Sequence, residues 1–114
     1  MINWKRVSEI FEDFGEDGFA EVTDLFVLEP EEALERLVQA ETPERMRAEF
    51  HFLKGAALTL GFDDIAEICA TGEQLAEADQ DCRAEKSQVI EQLPRTCAAF
   101  LEQWRSRVAV GSAK

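Results

Sequence analysis

One stretch of the chain holds side chains suited to group transfer: His51-Phe52-Leu53-Lys54-Gly55. His51 is the only histidine. If the segment is a helix turning about 100° per residue, Met46, Phe50, Leu53, Ala57 and Leu60 form one apolar stripe, and His51 lies about 140° from its centre. The imidazole is therefore expected to point outward. Its helical neighbours are Arg47, Lys54, Gly55 and Leu58, with Glu44 and Ala48 further back. A glycine inside a helix costs about 1 kcal/mol relative to alanine, and nothing in the local pattern asks for a break. At i+4 from His51, Gly55 clears space beside the ring for an incoming group.

Imidazole, with an ordinary pKa of ~6.5, is substantially neutral and nucleophilic near neutral pH. A phosphoryl group on it keeps a high transfer potential. In mid-helix it would lie far from the free N–H groups of a helix N-terminus, so a cation must offset its charge. Lys54 at i+3 and Arg47 at i−4 are the candidates. No second catalytic group is evident next to the histidine, which fits a carrier whose partner supplies the chemistry.

Other chemistries find little support. Ser8, Ser87, Ser106 and Ser112 lie in no nucleophile motif. Cys69 and Cys97 fall on apolar stripes and read as small core residues; Cys82 falls at a turn, where exposure is expected. One histidine and no cysteine cluster exclude the common zinc patterns, and a di-iron bundle needs Glu-x-x-His on two helices. No metal site is expected.

Five helical segments must position these residues. Trp4, Val7, Ile10, Phe11 and Phe14 mark a short helix over 3–14, which "GEDG" breaks. Phe19, Val22, Phe26, Ala33 and Leu37 mark the next, over about 17–40, with a bend or an irregular turn at Pro30. Thr42 is placed as the N-cap and Pro43 as the first residue of the third helix, which Gly61 closes in a left-handed conformation. The fourth, over about 63–78, carries Ile65, Ile68, Cys69, Gly72, Leu75 and Ala76 on one side. The fifth, over about 82–108, carries Val89, Leu93, Cys97, Phe100, Leu101, Trp104 and Val108, with a kink at Pro94. The expected fold is all-α: an antiparallel up-down-up-down four-helix bundle, with the short N-terminal helix over one end. One domain over 1–114 is expected, fraying from about residue 109.

With a net charge of −12, the surface suits neither nucleic acid nor anionic lipid. No apolar run approaches the ~20 residues that span a bilayer, and the N-terminus has no apolar leader. Three widely spaced cysteines fit reduced thiols. A cytoplasmic monomer is the expectation.

The stretch His51, Leu53, Lys54, Gly55, Ala56, Ala57 and Gly61 resembles the signature of histidine-containing phosphotransfer (HPt) domains. The segment after it, with Cys69 and Glu73, is similar to the family's next helix. The motif resemblance covers about 46–78, and the helix pattern the whole chain. It implies that His51 exchanges a phosphoryl group with the aspartate of a response-regulator receiver domain, supplied directly or through a hybrid sensor histidine kinase. It implies that Lys54 steadies the group, that Gly55 keeps the site open, and that an apolar patch of Ala48, Phe52 and Leu58 docks the receiver. No cofactor of its own is implied, the Mg²⁺ being the receiver's. Ala56 and Ala57 stand where many members have serine, and Glu73 where some have an amide; a carboxylate there would repel the phosphoryl group. The competing reading is a helical adaptor that binds a receiver or kinase without being phosphorylated.

Overall fold

A computed structural model describes residues 2–109. Helix α1 runs Trp4–Gln39, α2 Pro43–Leu60, α3 Asp63–Glu77 and α4 Arg83–Trp104; a π-helical turn, α5, covers Arg105–Ala109. Among the described residues, α2 packs on α1 and α3, and α4 packs on α3 and α1, closing a ring with the diagonal pairs apart. The expected tail beyond residue 109 lies outside the described residues.

Gly15, with φ 78° and ψ 168°, interrupts α1 and divides it into arms over 4–14 and 16–39. That is the break expected at "GEDG", and a conformation L side chains rarely adopt. Asn3 caps the first arm, its side chain accepting from the Arg6 N–H. The arm docks on one end of the ring. Ile2 bridges Phe62, the Asn3 N–H donates to the Gly61 carbonyl at 2.6 Å, and the Asn3 amide donates to Asp63. Trp4 stacks on Phe100 with centroids 6.1 Å apart, and Phe11 meets Phe19 edge-on at 5.5 Å.

Both ends of α2 are specified locally. The Thr42 side chain accepts from the Arg45 N–H, and Pro43 follows at the first helical position. At the other end Gly61 takes φ 76°, its N–H reaching Leu58 O while the Phe62 N–H reaches Ala57 O. These are the paired bonds of a Schellman cap. A Cβ at Gly61 would also fall 2.6 Å from the Asn3 carbonyl, so the cap is needed for its φ and for the docking of the first arm.

One apolar cluster fills the ring, and Phe19, Phe50, Phe62 and Phe100 are its largest fully buried side chains. Truncating such a residue to alanine costs about 3–5 kcal/mol. From α2 the cluster takes Phe50, Leu53, Ala57 and Leu60, the expected stripe, with Met46 partly buried against it. Three expectations are corrected. Phe14 is half exposed, because the chain turns at Gly15 one residue later; its ring rests edge-on against Phe26 at 5.9 Å. Leu101 is exposed, one step round α4 from buried Phe100 and Trp104. Cys82 is buried, because the turn before α4 folds inward and sets its thiol 3.4 Å from the Met46 sulfur. Pro94 sits on the exposed side of α4 without ending it. No helix among the described residues is long and apolar enough to cross a membrane.

Candidate functional site

His51 stands in the middle of α2, on the side away from the core, with its side chain 66% exposed. Its Nδ1 lies 2.9 Å from Oε2 of Glu73, on α3. The other oxygen of that carboxylate, Oε1, is shut off from solvent and meets the Lys54 ammonium at 2.7 Å. The three side chains form a chain of contacts across the α2–α3 seam. Lys54 holds the Glu73 carboxyl below its ordinary pKa; burial opposes this, and the contact with His51 adds to it. An ionised carboxylate only accepts hydrogen bonds, so Nδ1 must carry the proton. In the neutral ring the lone pair then resides on Nε2, the nitrogen that Glu73 leaves unbonded.

The expectation of no second group beside the histidine is thus corrected. Glu73 is far away in sequence and comes alongside only when α3 packs on α2. It is also no bare charge facing the ring, because Lys54 neutralises it at contact distance.

On its other flank His51 opens onto a hollow of about 470 Å³ between α1 and α2, lined by Phe26, Glu29, Phe52, Gly55, Ala56 and Thr59 among others. A Cβ built on Gly55 would meet nothing within 4 Å. The clearance read from the sequence exists, and none of the described residues fills it. The Thr59 hydroxyl, which lines the same hollow, is turned onto the Gly55 carbonyl at 3.0 Å.

Of the remaining residues singled out, Phe52 is exposed beside His51, with the Arg36 guanidinium 5.2 Å from its ring centroid. Arg36 is itself held from α1 by Glu49 at 3.0 Å. Ala48 is exposed one turn before Phe52. Leu58 is exposed and borders a second hollow, of about 460 Å³, with Lys54, Ala66, Glu67 and Ala70. Arg47 lines a third, with Pro43, Glu44, Ala76, Glu77 and Asp79. The structure therefore joins Lys54 to His51 through Glu73, leaves Gly55 beside the imidazole's hollow, and directs Arg47 to a different hollow.

The thiols stand apart from this chemistry. All three cysteines are buried, and burial pushes Cys69 and Cys97 up to about 12, where a thiol is not a nucleophile. No group of three His, Cys, Asp or Glu among the described residues could hold a metal ion.

The model of the Hpt domain family matches residues 21–107, most of the chain and all of α2, α3 and α4. The chain belongs to the Hpt family. Neither curated proteins nor solved structures gave a match. Hpt domains are helical bundles that carry phosphoryl groups in two-component signalling, in exchange with receiver domains and histidine kinases. They are phosphocarriers rather than enzymes, so a phosphotransfer role follows from membership.

Proposed function

We propose that this Hpt protein is a relay in which His51 accepts a phosphoryl group from a receiver aspartate and returns it to another. One observation carries the reading: the sole imidazole is exposed, fixed through Nδ1 by Glu73, and bordered by a notch that none of the described residues fills.

The neutral ring attacks phosphorus through the Nε2 lone pair. The bond from phosphorus to the aspartyl oxygen breaks, and the aspartate leaves as carboxylate. The ring, still protonated at Nδ1, becomes a phosphoimidazolium, and Glu73 stabilises its positive charge. The return step is the same path reversed. Because Nδ1 remains hydrogen-bonded throughout, no proton has to move on or off the ring. Lys54 has two roles here. It keeps Glu73 ionised, and its free N–H bonds lie within a helical turn of the transferred group. Phe52, Ala48 and Leu58 supply apolar surface for the receiver, and the Gly55 notch admits its active-site end. The chain supplies no cofactor; Mg²⁺ enters with the receiver.

The test is transfer from a phosphorylated receiver. The label should be acid-labile and alkali-stable, and His51→Gln should abolish it. Label that persists in His51→Gln would overturn the assignment. A chain that binds receivers but takes no label would be an adaptor instead.

A further inference from the structure

The second arm of α1 carries two features that its own fold does not use. Every charged residue from 9 to 35 is a carboxylate, and all are exposed. Among the described residues only Glu9 is paired with a cation, Arg6. Within the arm, Asp17 and Glu21, Glu21 and Asp24, and Glu31 and Glu35 stand at spacings where like charges repel. Amid them, Leu25 and Leu28 are 52% and 47% exposed. At 100° per residue, they lie about 140° and about 160° round the helix from the centre of its buried stripe. Leu25 and Leu28 are successive neighbours on one face, with Glu21 and Glu32 one turn before and after. A helix that only had to cover the core would gain from neither the leucines nor the uniform charge.

Charge decides what can cover this face. A second copy of the chain would bring the same carboxylates and a net charge of −12 against them. Nucleic acid and anionic lipid are repelled for the same reason. A segment carrying Lys or Arg around an apolar stripe matches both features, the cations steering it in and the leucines gripping it. We propose that the outward face of residues 17–35 in this arm is a docking surface for a cationic amphipathic helix of a partner protein. Leu28 faces away from the His51 hollow, which α1 walls with Phe26 and Glu29, while Leu25, one turn before Glu29, borders it. A partner held here leaves the imidazole free, so the surface tethers while His51 exchanges its group.

The test uses the full chain and two synthetic helical peptides of equal positive charge. One has leucines at i, i+3 and i+7; the other has serines there. At about 0.15 M salt the leucine peptide should bind about tenfold more tightly, and backbone amide shifts should centre on residues 21–35. Leu25→Ser with Leu28→Ser alters exposed positions only, so the fold should persist, and it should erase the difference between the peptides. The proposal is overturned by equal affinities, by no binding of either peptide, or by shifts centred on α2. It is equally overturned if the leucine preference survives the double substitution, or if the free chain sediments as a dimer that the double substitution dissolves.

Discussion

Gly55 and Gly72 are both glycines inside helices, and the space beside each is used in opposite ways. A Cβ on Gly72 would lie 2.6 Å from the ring of Phe50, so the missing side chain is what lets α2 and α3 close together. A Cβ on Gly55 would meet nothing within 4 Å. The first glycine is explained from inside the molecule. The second has no occupant among the described residues, and no contact they make offsets its cost in helix stability. The α2–α3 seam is a closed interface, while the α1–α2 side of His51 stays open among the described residues.

Substitutions at the two positions should therefore separate stability from transfer. Gly72→Leu should have the largest effect on the fold. Forcing a branched side chain against Phe50 overpacks the core and should cost about 3 kcal/mol, read as a drop in the midpoint of urea unfolding. Transfer by the fraction that stays folded should slow by no more than about the tenfold expected from losing Glu73, whose place beside His51 the same contact sets. If stability is unaltered, the seam is looser than the contact with Phe50 implies.

Gly55→Gln should do the reverse. Receiver-dependent labelling should slow by about 100-fold, a ~2.7 kcal/mol rise in the barrier, while urea unfolding shows a chain as stable as before or slightly more so. An unchanged rate would mean that the partner does not enter the notch.

Glu73→Gln probes the seam where it touches the site. An amide can offer its NH₂ to Nδ1 as readily as its carbonyl, so the tautomer is no longer enforced and the phosphoimidazolium loses a counter-charge. Labelling should slow by about tenfold, within the range for removing one charged hydrogen-bond partner. The same substitution has a pH signature. The Glu73 carboxyl is held below its ordinary value of 4.5. Its contribution to stability is therefore fully present above pH 4.5 and is lost as pH falls through the lower folded-state value. In Glu73→Gln that part of the acid dependence should vanish. A pH–stability curve parallel to the parent's below pH 4.5 would show that Lys54 and His51 do not hold the carboxylate.

Gly55→Ala is the smallest change. It should raise stability by about 1 kcal/mol through helix propensity alone. A loss of stability would mean that the notch is filled in solution.

Most of the bundle is legible in the sequence because its signals are local. Thr42-Pro43 and Gly61 bound α2, Gly15 breaks α1, and the stripe through Phe50, Leu53, Ala57 and Leu60 faces inward as its spacing requires. Half of the site is legible for the same reason, since Lys54 and Gly55 share the helix of His51. Glu73 is not. Whether it meets the imidazole or solvent depends on how far α3 is rotated about its axis. That rotation is set by Phe50 seating over Gly72, a contact between two helices. Cys82 and Leu101 fail similarly: the direction of a turn and the width of a buried stripe are fixed by neighbours rather than by spacing. Arg36 reaches both Glu49 and Phe52 from another helix, so its place beside Phe52 is a tertiary fact as well.

The most direct test of the account is the position of phosphorus on the ring. Nitrogen-15 and phosphorus-31 NMR of the chain phosphorylated by a receiver should show phosphorus bonded to Nε2 of His51, with Nδ1 still protonated. Phosphorus on Nδ1, or on any residue other than His51, would contradict it.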